Sequence, residues 1–279
     1  MKKNNYINLK SLKEDVSKRL PGSDDAFNGL IHFLKYKLNL DTRKLYMNEN
    51  VPVDNFALNQ IESFFKLKKD NIPNDYIIGS SSFYGREFFV DNRVLIPRPE
   101  TELIVNYFIE ENVSGNKVIL DAGTGSGCIG ISLAYIDKNF DIFISDKFID
   151  PLSVAVSNIK KHKCHNITPI QMSWGSAIKE NSVDYIVCNP PYIKKHDPHL
   201  NDLKHEPITA LIAEKNGLND IDLICKDAYH ILKDGGKIVM EHGYDQADKV
   251  NNIFCNNLLK PENTITDYHG HVRISIASK

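Results

Sequence analysis

Asn189-Pro190-Pro191-Tyr192 directly follows a short apolar segment, residues 183–188, and is the most specific chemical signal in the chain. The side-chain oxygen of Asn189 and the carbonyl of Pro190 can together accept both hydrogen bonds of an NH₂ group. The two prolines fix the backbone and remove competing N–H donors, while Tyr192 offers a flat surface to a planar group. The motif therefore predicts a site for an amide or an exocyclic base amine, unless it is only a Pro-Pro turn that ends a strand.

The nitrogen of such a group is a poor nucleophile because its lone pair is delocalised into a π-system. Two acceptors on its hydrogens would orient it and favour the charge that builds up during attack. No base is required beforehand, since the proton becomes acidic once the nitrogen has been alkylated. We therefore predict Asn189, Pro190 and Tyr192 as catalytic residues, and all four residues of the motif as substrate-binding.

A glycine-rich turn, Gly123-Thr124-Gly125-Ser126-Gly127, lies between a predicted strand and a predicted helix. Glycines allow the backbone to turn sharply and to approach a ligand closely, and the helix behind them begins with unpaired N–H groups. Such a turn could serve a dinucleotide or S-adenosylmethionine, or could simply join strand to helix. The spacing G-x-G-x-G differs from the dinucleotide pattern G-x-G-x-x-G, which favours S-adenosylmethionine as the ligand of all five residues.

Two further side chains are candidates for contacts with this cofactor. Asp146 stands near the end of the next predicted strand, where a carboxylate can accept both ribose hydroxyls; the alternative is that it caps a helix. Trp174, the only tryptophan, follows another predicted strand close to the expected position of the adenine. Trp174 could pack against the cofactor, or it could be an ordinary core or rim aromatic.

The elements around these motifs alternate between short apolar strands and amphipathic helices. This alternation predicts a mainly parallel sheet with helices on both faces, followed by a terminal hairpin formed by residues 264–266 and 272–276. The predicted strands are Val118–Leu120, Ile142–Ile144, Thr168–Gln171, Val183–Cys188 and Lys237–Glu241, and the predicted helices are Ile129–Tyr135, Pro151–Lys161 and Ile221–Leu232.

The segment before residue 93 has a different pattern. Apolar residues at helical spacing over 27–38 and 56–65 predict a small helical domain over residues 1–75, with Ser23 and Asp24 as candidate N-caps. Tyr76–Gly79 and Phe83–Val90 predict the strands of a β-hairpin connector over 76–92. Residues 93–279 then form the predicted cofactor-binding domain.

Composition restricts the class of protein. The chain has 279 residues, a formal net charge of -2 and 42% hydrophobic residues, which is typical of a soluble globular protein and gives no basic excess for nucleic acid. Its five cysteines form no CxxC pair, which argues against a disulfide framework or a zinc site. The histidines at 196, 199 and 205 could in principle bind a metal, but they lie in a predicted loop without Cys or carboxylate partners at ligand spacing, so we predict no metal. No signal peptide or membrane-length apolar segment is evident, and we expect a cytoplasmic protein.

Together these motifs resemble the HemK/PrmC family of protein-(glutamine-N5) methyltransferases. The resemblance covers about the C-terminal three-quarters of the chain, whereas the helical N-terminus fits in length and character only. The matching segments are residues 76–79 and 83–85, Leu95-Ile96-Pro97-Arg98-Pro99-Glu100-Thr101-Glu102, the glycine turn, Asp146, the Asn-Pro-Pro-Tyr motif with Ile193, residues 197–200, Glu206-Pro207, Ala210-Leu211 and Glu241-His242-Gly243-Tyr244.

The resemblance implies a class I (Rossmann-like) methyltransferase fold, α/β with a seven-stranded mixed sheet, behind a small N-terminal helical domain. It implies that residues 123–127, Asp146, Trp174 and Asn189 contact S-adenosyl-L-methionine, with S-adenosyl-L-homocysteine as product. Residues 189–192 would hold the glutamine of the Gly-Gly-Gln motif of class I peptide chain release factors, and methylation would modulate translation termination. The N-terminal domain would bind the factor elsewhere, with no direct nucleic-acid contact. Ser173 stands where the family often has an acidic residue, which puts one adenine contact in doubt.

Three alternatives remain open at this stage. A sibling enzyme that methylates glutamine in a large-subunit ribosomal protein would use the same pocket chemistry. A nucleic-acid exocyclic-amine methyltransferase would share the Asn-Pro-Pro-Tyr motif but should present a basic face near Tyr192. There Lys194 and Lys195 are offset by nearby acidic residues. A non-catalytic module that binds release factor or ribosome would not need an intact glycine turn together with Asp146 and the motif.

Overall fold

The computed structural model describes residues 5–23 and 25–279. The chain divides into two compact units, residues 1–80 and 81–279. Each has its own apolar core. The division falls between Ser80 and Ser81, so residues 76–80 belong to the first unit and the hairpin that follows belongs to the second.

The first unit is mainly helical, with one pair of short antiparallel strands. Apolar residues at helical spacing, such as Leu30 and Leu34 on one helix and Ile61 and Phe65 on another, point into a shared core. Side-chain caps begin three of the helices: Asn8 accepts from the N–H of Ser11, Asp41 from that of Arg43 and Asp54 from that of Ala57. Its elements are β1 (Asn5–Ile7), α1 (Leu9–Arg19), α2 (Ala26–Tyr36), α3 (Thr42–Tyr46), β2 (Val51–Val53), α4 (Asn55–Lys69) and α5 (Asn74–Ile78).

Two local predictions for this part of the chain need comment. The predicted strand over 76–79 is wrong, because Tyr76 to Ile78 lie in α5, which ends at Gly79 with a left-handed φ of 76°. The β-branched pattern Ile77-Ile78 suggested a strand, but Pro73 before the helix and a glycine after it terminate a single helical turn instead. Of the two candidate caps of α2, Asp24 lies outside the described residues. The prediction of Ser23 is wrong, because the N-cap position is Asp25, to which the hydroxyl of Ser23 donates.

The second unit begins with a hairpin made of β3 (Ser81–Phe83) and β4 (Arg86–Phe88), shorter than predicted and turning at Tyr84-Gly85. Its main sheet has seven strands, β5 (Val118–Ala122), β6 (Asp141–Asp146), β7 (Ile167–Gln171), β8 (Val183–Cys188), β9 (Leu232–Glu241), β10 (Lys260–Thr266) and β11 (Val272–Ser278). The strand order is β10-β11-β9-β8-β5-β6-β7. The two pairs that include β11 are antiparallel, and the other four pairs are parallel. The predicted seven-stranded mixed sheet is confirmed.

Helices cover this sheet on the connections between its strands. They are α6 (Glu102–Glu110), α7 (Cys128–Ile136), α8 (Ile149–His162), the short α9 (Glu214–Gly217), α10 (Asn219–Ile231) and α11 (Ala247–Asn256). Two apolar clusters fill the space between helices and sheet. The chain leaves β5 toward β6 in one direction and later returns through β8 on the other side of β5. The order therefore reverses between β5 and β8, where open α/β sheets bind their ligands.

Candidate active site

The glycine turn and the Asn-Pro-Pro-Tyr motif meet at the carboxyl ends of the adjacent strands β5 and β8. A cavity of about 370 Å³ opens there, within the roughly 300–1,000 Å³ that small-molecule pockets occupy. The sequence-predicted residues that line it are Gly123, Thr124, Gly125, Ser126, Asp146, Trp174, Asn189 and Pro191. These residues come from the ends of four strands, β5, β6, β7 and β8. The fold therefore brings together most of the residues that the sequence singled out.

Three of the predicted residues, Gly127, Pro190 and Tyr192, do not line this cavity. Gly127 is buried at the start of α7, where an added Cβ would meet Ala155 at 3.3 Å, so it serves helix packing. Pro190 is buried and Tyr192 half-buried. The carbonyl of Tyr192 accepts a hydrogen bond from Nε2 of Gln246 at 3.1 Å, which fixes the backbone of the motif.

The glycine turn has the backbone that glycines permit: φ is positive at residues 123, 125 and 127. Gly123 also has a packing reason to be glycine, because a Cβ there would lie 2.7 Å from Cζ3 of Trp174. The Trp174 ring thus lies against the turn and lines the cavity. The backbone carbonyl of Trp174 accepts a hydrogen bond from the hydroxyl of Ser145 at 2.9 Å, which anchors this residue to the end of β6.

Asp146 is held by backbone donors on both of its oxygens. Oδ2 accepts from the N–H of Gly125 at 3.2 Å and Oδ1 from that of Phe148 at 3.1 Å. Each carboxylate oxygen has a second lone pair, so the side chain can accept two further hydrogen bonds from a ligand in the cavity. Burial raises the pKa of Asp146, and the backbone N–H groups oppose that rise.

Asp121, the penultimate residue of β5, is fully buried below the turn. Its Oδ2 accepts from the hydroxyl of Thr124 at 2.6 Å and the N–H of Gly130 at 3.0 Å. Its Oδ1 has no hydrogen-bond partner among the described residues. Burial raises the pKa of Asp121 to about 6, and the carboxyl is therefore mainly ionised at neutral pH. A buried negative charge with a free oxygen beneath the turn fits a cationic ligand better than an anionic one.

A chain of hydrogen bonds runs behind Asn189. The hydroxyl of Thr101 donates to Oε2 of Glu241 at 2.6 Å, and Nδ2 of Asn189 donates to the Thr101 oxygen at 3.0 Å. Cys188 pairs with Met240 across β8 and β9, which places Asn189 beside Glu241 at the strand ends. The Asn189 amide is thereby tied down through its NH₂ end.

Glu241 is one of the most strongly perturbed groups in the second unit. It is 1% exposed, and desolvation raises its pKa to about 7, against the lowering effect of the Thr101 hydroxyl. The phenol of Tyr192 lies 3.4 Å from its Oε1. Burial, and secondarily the charge of Glu241, raises the pKa of Tyr192, so this phenol stays protonated and can donate.

Glu206 is a third buried carboxylate, and it holds the segment before α6. Glu206 accepts from the backbone N–H of Ile96 at 3.1 Å through Oε2, and it pairs with the Arg98 guanidinium through Oε1. Its side chain is only 3% exposed. We call these two contacts of Glu206, with Ile96 and Arg98, the clamp. Because Pro97, Arg98 and Pro207 line the cavity, the clamp fixes part of the cavity wall.

Thr101, Glu206 and Glu241 were not predicted as site residues. All three stand in segments that carried the family resemblance, but a linear pattern does not show that residues 101 and 241 touch. One signal was available for Glu241: a carboxylate that ends a buried strand beside the strand preceding Asn189. No group of three or more His, Cys, Asp or Glu side chains within residues 5–23 and 25–279 is arranged to hold a metal ion. No helix over those same residues is long and apolar enough to cross a membrane.

Comparisons with known proteins bear on the fold and the family of the chain. The family model described as Methyltransferase small domain matches residues 99–215. The crystal structure of a methyltransferase from Pyrococcus furiosus has a TM-score of 0.52 at 19% identity, covering 71% of this chain and 91% of that chain, a likeness of fold alone. Fold and site define a class I S-adenosylmethionine-dependent methyltransferase.

Relatives in sequence narrow this class. The release factor glutamine methyltransferase of Salmonella typhimurium is 32% identical over 226 residues, which cover 80% of this chain and 82% of that protein. The bifunctional methyltransferase of Rickettsia felis is 33% identical over 277 residues, 88% of this chain, and the chain spans only 53% of its length. The chain belongs to the release factor glutamine methyltransferase family.

Proposed function

We propose that the protein transfers a methyl group from S-adenosylmethionine to the side-chain amide nitrogen of the glutamine in the Gly-Gly-Gln motif of class I peptide chain release factors. The names of its relatives, release factor glutamine methyltransferases, support a release factor as substrate. The observation that carries the proposal is the hydrogen bond from Nδ2 of Asn189 to Thr101, because it leaves Oδ1 of Asn189 as the acceptor for an incoming NH₂ group.

The substrate amide is held by the Asn-Pro-Pro-Tyr motif. Oδ1 of Asn189 and the carbonyl of Pro190 accept the two N–H bonds of the glutamine amide, which directs the nitrogen lone pair toward the cavity. Both acceptors stabilise the positive charge that the nitrogen gains as the N–C bond forms. Pro191 lines the cavity beside Asn189, and Tyr192 bounds the amide plane. The nitrogen then loses one proton to solvent.

The glycine turn and its neighbours hold the cofactor. When bound, S-adenosylmethionine supplies an activated methyl group on a sulfonium and leaves as S-adenosylhomocysteine. Asp146 accepts the two ribose hydroxyls, residues 123–126 bring the backbone close to the ligand, and Trp174 packs against the adenine. The unpaired oxygen of Asp121 supplies negative charge under the cationic part of the ligand.

Other partners follow from the same proposal. The helical domain, residues 1–75, binds the release factor away from its glutamine, and the segment over 76–92 connects this domain to the cofactor-binding domain, residues 93–279. The formal net charge of -2 gives no basic excess, so we propose no direct contact with nucleic acid and none with membranes. The cytoplasm, where release factors act, is the proposed location.

A transfer assay tests the proposal. The protein is incubated with methyl-labelled S-adenosylmethionine and a purified class I release factor, in parallel with the same factor carrying alanine in place of the Gly-Gly-Gln glutamine. Label on the first factor alone supports both chemistry and site, and Asn189→Ala should abolish it. If neither factor is labelled while calorimetry shows cofactor binding, the release-factor assignment is wrong, and large-subunit ribosomal protein and then nucleic acid become the substrates to test.

A further inference from the structure

We propose that Thr101 and Glu241 are positioning residues for methyl transfer: the Glu241 carboxylate, acting through the Thr101 hydroxyl, determines which end of the Asn189 amide faces the substrate. The inference rests on the proposed function, since it concerns the acceptor that holds the glutamine. Neither residue need touch the reacting atoms.

The number of available protons fixes the direction of the hydrogen bonds between Glu241, Thr101 and Asn189. The Thr101 hydroxyl has one proton, and it is used in the 2.6 Å hydrogen bond to the Glu241 carboxylate. The Thr101 oxygen can then only accept from Asn189, so the NH₂ end of the Asn189 amide turns toward it at 3.0 Å. Oδ1 of Asn189 remains as the acceptor for the substrate.

Protonation of Glu241 would reverse the donor and acceptor roles in these hydrogen bonds. A neutral carboxyl can donate to Thr101, and the Thr101 proton is then free to turn toward Asn189. The Asn189 amide would present Oδ1 to Thr101 and its NH₂ end to the substrate, placing donor against donor. The productive orientation therefore requires the ionised form of Glu241.

The surroundings of Glu241 place its titration near neutral pH. Burial raises the pKa of Glu241 to about 7, so the fraction with an ionised carboxylate falls as the pH decreases through that value. The titratable groups that interact with it from the elements packed around it are Glu100, Tyr192, Arg273, Cys128 and Cys188. Glu100 opposes ionisation and Arg273 favours it.

A second route from Glu241 to the motif runs through Tyr192, whose phenol lies 3.4 Å from Oε1. This contact is long for an O–H···O hydrogen bond, whereas the Thr101 contact is short. The two routes can be separated because Thr101→Val removes the hydroxyl relay and leaves Tyr192, while Tyr192→Phe does the opposite. Thr101→Ser keeps a hydroxyl at the relay position.

The experiment is the pH profile of kcat/KM for methyl transfer to a release factor, measured at saturating S-adenosylmethionine from about pH 6 to 9. The wild type should lose activity as the pH falls through about 7. Thr101→Val should lose about 10- to 100-fold in kcat/KM at high pH, the loss expected for a hydrogen bond to a charged group, and it should lack the acidic limb. Thr101→Ser should restore both the rate and the acidic limb of the profile. Tyr192→Phe should react more slowly than wild type but keep the acidic limb.

Glu241→Gln keeps the proposal open to refutation even if Thr101→Val fails to fold. It removes the ionisable group with little change of shape, so its profile should be flat on the acidic side whatever its rate. An acidic limb that persists in Glu241→Gln would overturn the proposal, as would a wild-type rate and limb in Thr101→Val or loss of the limb in Tyr192→Phe alone. Wild-type protein that transfers no methyl group at any pH would instead refute the proposed function.

Discussion

Asn158 provides a sharp test of how the glycine turn is supported. This α8 residue is fully buried, and it makes three hydrogen bonds to backbone groups of two other segments. Its Oδ1 accepts from the N–H of Phe89 at 2.8 Å, and its Nδ2 donates to the carbonyls of Phe89 at 2.9 Å and Ser126 at 2.8 Å. The side chain thus ties the glycine turn to the segment after the hairpin.

Replacing Asn158 by alanine leaves three backbone groups without their partner. At about 1 kcal/mol for each hydrogen bond, with a small addition for the cavity, the free energy of unfolding should fall by about 3–4 kcal/mol. The matched control is Asn166→Ala, which removes one hydrogen bond of 2.9 Å to the carbonyl of Phe140 and should cost about 1 kcal/mol.

Urea unfolding followed by the fluorescence of Trp174 measures both variants. Trp174 is the only tryptophan of the chain and lies in the second unit, so its signal reports the unit in which both substitutions are made. Calorimetry should also find weaker binding of S-adenosylmethionine to Asn158→Ala, because Ser126 lines the cavity. If Asn158→Ala is no less stable than Asn166→Ala, the three hydrogen bonds do not support the turn.

Three further results are expected. Gly123→Ala should weaken S-adenosylmethionine binding about tenfold or more, measured by calorimetry, because its Cβ would lie 2.7 Å from the ring of Trp174 at a φ of 75°; unchanged affinity would contradict that packing. Glu206→Ala should destabilise by about 3 kcal/mol in urea unfolding and Glu206→Gln by less, since only glutamine can still accept from Ile96; equal losses would count against the clamp. The pKa of Asp121 is raised from 3.8 to about 6, so the protonated carboxyl contributes about 3 kcal/mol of stability below about pH 4, and this contribution is lost as the pH rises through 6. Urea unfolding of wild type and Asp121→Asn over this pH range should show that difference in free energy. Parallel curves of stability against pH would refute it.

Much of the sheet could be predicted from the sequence because its signals are local. The strand over 183–188 has the predicted bounds, and the strands that end near Asp121 and Asp146 lie where short apolar segments placed them. Alternating strands and helices have few compatible topologies, and a parallel sheet gathers the strand ends at one edge. That rule explains why the glycine turn meets Asn189, which the family resemblance had implied through a shared cofactor.

Contacts between distant side chains could not be predicted in the same way. Thr101 meets Glu241 and Ile96 meets Glu206 only after the sheet has formed, and no periodic pattern encodes those pairs. The short helix at residues 74–78 was mistaken for a strand because its apolar residues favour both structures and the helix is a single turn. Tyr192 was predicted from its type alone, which does not show that its phenol faces a buried carboxylate.

The most direct test of the central claim is mass spectrometry of a class I release factor after incubation with this protein and S-adenosylmethionine. We predict one added methyl group on the peptide that contains the Gly-Gly-Gln motif, localised by fragmentation to the side-chain nitrogen of its glutamine. The same peptide should stay unmodified with Asn189→Ala protein. A methyl group on any other residue, or an unmodified peptide from a reaction in which the wild-type protein binds the cofactor, would contradict the proposed chemistry.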